Sequence, residues 1–237
     1  MSIPLSIPLS IIVPTRNEAG TIAACLERIA AACPLAEILV VDGGTDGTAD
    51  VVGALARVLP AVRYLRNHGD RGKGHAVAVG ISSSQGAVLA QIDGDLQFLP
   101  EELPRLLAPI LTERADVALG SRFLPHSARG AGSVPGARSA GNRAISAFAS
   151  VVCRHRFSDL LAGMKAWRRE VTAAFRWESD GFSYEAELPI KAARLGFRVV
   201  DVPITTEERR AGRSSVPVLR TGVKLARDII RFRVLPS

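Results

Sequence analysis

In the first half of the chain, short aliphatic runs alternate with stretches of helical period. LSIIV at 9–13, EILVV at 37–41, VRYL at 62–65 and AVLAQI at 87–92 are rich in β-branched and aliphatic residues and read as strands. Between the first two, Ile22, Cys25, Leu26 and Ile29 recur at helical spacing after a polar start at Asn17 and Glu18, which predicts a helix over 21–32. Similar patterns predict helices over 48–59, 75–83 and 101–113. Strand and helix in this alternation predict an α/β fold, a mostly parallel sheet flanked by helices with right-handed crossovers. Ligands of such sheets bind at the carboxyl ends of the strands.

After Arg122 the pattern changes. Residues 125–141, PHSARGAGSVPGARSAG, have no acid and are dominated by Gly, Ser, Ala and Arg, which predicts a long mobile loop. Helices are expected over 142–153 and 184–195, a strand over 197–204, and then a second basic loop, ERRAGRSS. The final segment, 218–234, places Leu219, Val223, Ala226 and Ile230 at spacings of four and three, with Arg220, Lys224, Arg227 and Arg231 one position later. That is an amphipathic helix with a basic stripe. It either packs on the sheet with its charges solvated or docks on an anionic membrane surface. The expected division is one domain over 1–216 and this helix over 217–237.

Composition narrows the partners. With 237 residues, 47% of them hydrophobic, the chain can bury a full core. Lys+Arg 30 against Asp+Glu 23 gives a net charge of +7, which favours an anionic partner such as a nucleotide, a phosphorylated substrate or a membrane surface. Cys25, Cys33 and Cys153 lack the paired spacing of a zinc site and read as reduced core residues, consistent with a cytoplasmic setting. His68, His75, His126 and His155 are scattered, and Trp167 and Trp177 read as core or interface residues. No secretory signal is expected at the start. The longest charge-free stretch, 74–92, is interrupted by Gly, Ser and Gln and is a poor membrane span.

The candidate chemistry sits where strands end. QIDGDLQ puts Asp93 and Asp95 just past a buried strand, and two carboxylates so close suit Mg²⁺ or Mn²⁺ if substrate phosphates complete the shell. Gln97 can add a carbonyl oxygen. The plain alternative is a surface turn, where Asp and Gly are common. VVDGGTDGT at 40–48 repeats the arrangement: Asp42 can accept hydrogen bonds from a ribose or base, and Gly43 and Gly44 let a backbone approach closely. Alternatively it is a strand-to-helix turn capped by Thr45 or Asp46. HGDRGKGHA at 68–76 has the composition of a phosphate-cradling loop with Arg71 and Lys73, but not the spacing of a P-loop. Glu185 and Glu187 open a helix, either to position an acceptor or to sit at the favourable end of its dipole.

Taken in order, IIVPTRNE, VVDGGTDGT, RGKGHAVAVG, QIDGDLQFLPEEL, LGSRF, DLLAGMKAWRREV and FSYEAELPIKAARLGFRVVDVPI resemble the family 2 glycosyltransferases, in particular the dolichyl- and polyprenyl-phosphate sugar transferases. The resemblance covers about residues 9–233. It implies a GT-A fold and inverting transfer from a UDP- or GDP-sugar with Mg²⁺ or Mn²⁺. It further implies that Pro14, Thr15, Glu18 and Asp42 line the nucleoside pocket, with Lys73 on the donor side. Asp93, Asp95 and Gln97 would hold the metal and diphosphate. Arg122 and Arg138 match arginines near the phosphates of donor and lipid acceptor, and Arg209 and Ser214 fall in a loop that closes over the donor. Two departures stand out. VVDGGTDGT is one residue shorter than the common form and lacks its second Asp, and the closing loop reads Ser214, Ser215 where Ser-Lys is common, leaving Arg213 as its charge.

The resemblance implies that catalysis rests on stabilising the departing nucleoside diphosphate, with Asp95 and Arg122 central. A lipid phosphate acceptor is already an anion; a hydroxyl acceptor needs a base, for which Asp159 is the first candidate and Glu185 the second. The rivals are a family 2 enzyme with a soluble or polysaccharide acceptor, and a nucleotidyltransferase. The second wants a Lys-bearing glycine loop after the first strand, where this chain has PTRNEAG. A nucleic-acid binder is opposed by acids at the strand ends. A lipid acceptor implies peripheral attachment to the inner face of the cell membrane.

Overall fold

A computed structural model of the chain describes residues 8–128, 130, 136–207 and 218–234. The first half is β1 (Leu9–Thr15), α1 (Ile22–Ala32), β2 (Glu37–Asp42), α2 (Thr48–Ala56), β3 (Val62–Arg66), α3 (Lys73–Ser83) and β4 (Val88–Gln91). A short 3₁₀ turn, Pro100–Glu102, leads into α4 (Leu103–Leu111). There follow β5 (Val117–Ser121), α5 (Gly136–Cys153), β6 (Lys165–Arg168), α6 (Arg169–Ala173), α7 (Tyr184–Arg194), β7 (Val199–Pro203) and α8 (Val218–Val234).

The seven strands form one sheet in the order β3-β2-β1-β4-β6-β5-β7. All neighbours are parallel except β6, which runs antiparallel to both β4 and β5. Both faces are covered, so the inner strands are mainly apolar, with Ser10, Gln91 and Lys165 among the buried exceptions. Ile11, Val13, Ile38 and Val40 face α1 and α4, while Ile12, Leu39 and Val41 face α3 and α7. The chain leaves β1 toward β2 on one side and reaches β4 on the other. The resulting switch point lies between β1 and β4, where open α/β sheets bind ligands.

Three local expectations change. β5 and β6 are strands where none was expected; Lys165 and Arg168 bracket the short β6. β6 is inserted as an antiparallel strand because the chain returns along the sheet between β4 and β5. The segment expected to be a loop over 125–141 is helical from Gly136, so α5 starts six residues earlier than its period suggested. Residues 129 and 131–135, on which the expected mobility falls, lie outside the described residues.

The third change concerns α8. Its buried stripe is Leu225, Ile229 and Phe232, packed with α5 and α7, and the nearly buried Asp228 accepts a 2.6 Å bond from Ser183. Of the predicted apolar line, Val223 and Ile230 are exposed, beside exposed Lys224, Arg227 and Arg231, and Ala226 is half-buried. Cys25 and Cys33 are core residues as expected, Cys153 is only half-buried, and burial pushes the Cys33 thiol up to about 12. Among the described residues no helix is long and apolar enough to cross a membrane.

Candidate active site

The carboxyl ends of β1, β2 and β4 converge because their registers align: Thr15 lies beside Asp42, and Ile12 beside Gln91. Asp42 is buried, and its oxygens accept bonds from Thr15 Oγ1 (3.2 Å), the Gly44 amide (2.9 Å), the Tyr64 hydroxyl (3.2 Å) and Arg66 (3.3 Å). Four protein donors fill the capacity of a carboxylate. Asp42 therefore shapes the turn after β2. The glycines beside it serve the same turn: a Cβ on Gly43 would lie 2.6 Å from Asp70, and one on Gly44 2.6 Å from the Asn17 amide. Asp46 fixes the start of α2 by accepting from the Thr48 amide at 3.0 Å.

After β4 the chain makes a tight acidic turn. Asp95 Oδ1 accepts the Gln97 amide at 3.0 Å, and Leu96 adopts a left-handed backbone with φ 61°, a conformation that costs a branched residue about 1 kcal/mol. Gly94 between the two acids has no room for a side chain, since its Cβ would stand 2.3 Å from Glu18 Oε2. Gly163, just before β6, is equally confined, with its Cβ position 2.3 Å from Asp93 Oδ2. These close approaches draw Glu18 of the β1 loop, the Asp93–Asp95 turn and the start of β6 to one point.

Cations meet this acidic turn from α3, β6 and the end of β5. Lys73 Nζ is 2.5 Å from Asp93 Oδ1, an ion pair rather than an aligned hydrogen bond, and 2.9 Å from Glu185 Oε1. Glu185 is fully buried in the first turn of α7; it also accepts from the Tyr184 hydroxyl at 2.6 Å and from Lys165. Lys165, with no exposed surface, additionally donates to the Ala162 carbonyl at 2.5 Å. Burial penalises all of these charges, and their neighbours decide the outcome. Burial pushes the Asp93 carboxyl up, and Asp95 and Glu185 add to that against Lys73. Glu185, which burial would raise, is held below the usual carboxylate range by Lys165 and Lys73. Lys165 is the group that yields: burial lowers it despite Glu185.

Arg122 stands at the end of β5, nearly buried, and is gripped by Asp159. Its Nε and Nη2 donate to the two carboxylate oxygens at 2.7 and 2.9 Å, and its backbone amide adds a third bond at 3.1 Å. Burial opposes its charge, but Asp159, Glu185 and Asp93 together raise it. Both Asp159 oxygens being taken, the residue expected as a proton acceptor is placed as the clamp on Arg122. Glu187 is buried too, bonded to the Glu178 and Ser179 amides at 2.8 Å and to Lys191, so it ties a loop to α7 and stands apart from the site.

Thus Thr15, Glu18, Lys73, Asp93, Asp95, Glu185 and the Arg122–Asp159 pair come together. Gln97 is held at the turn by its backbone, and Pro14 lies in β1 opposite Val41. Arg138 belongs to α5, with its side chain outside the description; Arg209 and Ser214 lie outside the described residues. Lys165, Tyr184 and Gly163 were missed by sequence reasoning. A lysine inside the apolar run AGMKAW was the available signal, because a buried lysine requires a partner. Among the described residues no group of three or more His, Cys, Asp or Glu could hold a metal alone. Asp93 and Asp95 do fit a cation whose remaining ligands come from substrate: burial pushes Asp93 up, the charges of Asp95 and Glu185 add to it, and that negative charge is what a divalent ion would relieve.

The model of glycosyl transferase family 2 matches residues 10–171. The chain belongs to this family. Among its relatives, an undecaprenyl-phosphate mannosyltransferase of Micrococcus luteus is 34% identical over 214 residues, 86% of each chain. A polyprenol monophosphomannose synthase of Mycolicibacterium smegmatis is 34% identical over 217 residues, 87% of this chain and 80% of its own. Among solved structures, glucosyl-3-phosphoglycerate synthase of Mycobacterium tuberculosis, crystallised with Mn²⁺, UDP and phosphoglyceric acid, superposes with a TM-score of 0.73 at 23% identity, covering 98% of this chain and 80% of that one. That likeness shows the fold, a GT-A sheet. The glycosyltransferase is thus an α/β enzyme of the class its motifs suggested.

Proposed function

We propose that this glycosyltransferase moves a sugar, with inversion, from a UDP- or GDP-sugar to a polyprenyl phosphate. The observation that carries the reading is the pairing of the Asp93–Asp95 turn with Lys73 and the Arg122–Asp159 clamp. Acids there suit a metal, and fixed cations beside them suit phosphates. The names of the two 34% identical relatives support a polyprenyl phosphate acceptor. So does the state of the candidate bases. Asp159 is committed to Arg122, and Glu185 to Lys73, Lys165 and Tyr184. An acceptor that is already an anion needs neither to take a proton.

In this mechanism Asp93, Asp95 and Gln97 would hold Mg²⁺ or Mn²⁺, which would supply charge neutralisation to the departing diphosphate. Pro14, Thr15 and Glu18 line the nucleoside side, with Asp42 bracing the wall behind them. Lys73 binds a donor phosphate as a point charge. Arg122, held by Asp159 before substrate arrives, offers a preorganised guanidinium to a phosphate and loses no order in doing so. Arg138 is assigned to the acceptor phosphate, and Arg209 and Ser214 to the donor. A thermal-shift panel of UDP, GDP, dTDP and CMP, each with and without Mn²⁺ or Mg²⁺, tests the donor side. Stabilisation by UDP or GDP that requires metal is expected. Equal, metal-independent stabilisation by all four would overturn it.

The acceptor side requires contact with a bilayer, and α8 with its neighbour α5 supplies the surface. Val223, Ile230 and Val234 on α8 and Phe148 and Val151 on α5 are exposed, flanked by Lys224, Arg227, Arg143 and Arg154. Arg143 stacks on Phe123 at 4.7 Å, next to Arg122, so this face adjoins the site. Each cation near an anionic surface contributes on the order of 1 kcal/mol. The protein is therefore expected to bind peripherally at the cytoplasmic face, sedimenting with anionic liposomes at low salt and releasing as salt rises. Because Leu225, Ile229 and Phe232 are core residues, deleting α8 would unfold its neighbours, and the test is Lys224→Glu with Arg227→Glu. Co-sedimentation should fall more than about tenfold; unchanged binding would count against this face.

A further inference from the structure

Lys73 is placed to do more than meet a phosphate. We infer that it is an internal counter-cation that caps Asp93 until a diphosphate arrives, making metal binding conditional on the nucleotide. This inference rests on the proposed function and adds an order to its binding steps.

Among the described residues, Lys73 is the one cation within ion-pair distance of Asp93, at 2.5 Å from Oδ1. A divalent ion held by Asp93 would need the same carboxylate, and an ammonium already against it repels that ion. The two cations therefore compete for one site. Glu185 is in a different position, because Lys165 and the Tyr184 hydroxyl remain on it if Lys73 leaves. Lys73 can thus give up Asp93 without stranding a buried charge, and its own side chain is 26% exposed, open to an incoming ligand. It is also the first residue of α3, where the chain follows Gly72 at φ 125°. The base of the side chain is fixed by the packing of that turn, since a Cβ on Gly74 would lie 2.0 Å from the Ser179 carbonyl. What can move is the long, unbranched end that carries the ammonium.

A diphosphate offers Lys73 a stronger set of acceptors than a single carboxylate. Once the ammonium turns to the phosphates, Asp93 is released to the metal, and the metal in turn holds the phosphates. By linkage the effect is reciprocal: the factor by which nucleotide tightens metal equals the factor by which metal tightens nucleotide. The nucleotide-free enzyme would accordingly hold little metal, although two acidic side chains stand ready for it.

The test is a titration of the full chain with Mn²⁺, read by the loss of the free-ion electron paramagnetic resonance signal. Wild type, Lys73→Met, Lys73→Gln and Lys73→Arg are compared, with Asp93→Asn as the baseline and thermal melts to establish folding. Without nucleotide, the Met and Gln variants are expected to bind Mn²⁺ at least about tenfold tighter than wild type, while Arg, which keeps the charge, stays near wild type. Adding UDP or GDP should tighten Mn²⁺ strongly in wild type and much less in the Met variant. Equal nucleotide-free affinity in wild type and both neutral variants overturns the cap, and leaves the proposed function standing if nucleotide still stabilises the protein. Absence of Mn²⁺ binding under every condition, or binding unchanged in Asp93→Asn, overturns both the cap and the metal assignment.

Discussion

Asp95→Asn is expected to lower kcat/KM for sugar transfer by on the order of 10³-fold or more and to abolish metal-dependent nucleotide binding, with a melting temperature close to wild type. The separation of the two effects follows from the geometry of the turn. Asparagine keeps an oxygen where Asp95 Oδ1 accepts the Gln97 amide, so the left-handed backbone at Leu96 is still held. What disappears is one negative charge from a site proposed to need two. Steady-state kinetics with the donor identified by thermal shift, beside a calorimetric melt, measure both effects. Turnover at the wild-type rate would remove the metal from the acidic turn.

Glu185→Gln is expected to act in the opposite proportion, with a large loss of stability and a secondary loss of activity. Lys165 has no exposed surface, and its charge is balanced by Glu185. Breaking a buried pair by neutralising one partner costs about 3–5 kcal/mol, because the remaining charge stays desolvated. For a domain of this size that lowers the melting temperature by roughly 10 °C. Lys165→Met in the same chain removes the stranded charge, and the double variant should recover most of the loss. A Glu185→Gln protein that melts with wild type would show that the pair is not a structural tie. If it melts low and the double variant recovers nothing, the loss belongs to some other contact of Glu185.

The first four strands and their helices were legible because each is a local pattern long enough to declare itself. Residues 9–13 are apolar but for Ser10, and the residues after each run turn abruptly to Asp, Gly and Asn. The switch point followed from that order of elements alone. β5 and β6 were not legible, since Gly120 and Ser121 end the first, Lys165 and Arg168 bracket the second, and their pairing joins residues far apart in sequence. The apolar line on α8 was read on the wrong side of the helix. Leu219, Val223, Ala226 and Ile230 form as good a stripe as Leu225, Ile229 and Phe232, and only the presence of α5 and α7 chooses between them.

For the site, the sequence by itself determined which groups stand at the strand ends: Glu18, Asp42, Asp93 and Asp95 follow buried strands, and a parallel sheet brings those ends to one edge. Their working states were decided by tertiary structure. Asp42 is filled by donors from Thr15, Gly44, Tyr64 and Arg66, Asp159 is spent on Arg122, and Lys73 lies against Asp93 across 20 residues of sequence. Glu185 and Glu187, two residues apart, are both buried, yet one joins the site and the other ties down a loop. A residue's type fixes the charges and hydrogen bonds it can offer. Which of them remain for a ligand depends on neighbours that the fold brings within about 3 Å, and that distance is set by packing from distant parts of the chain.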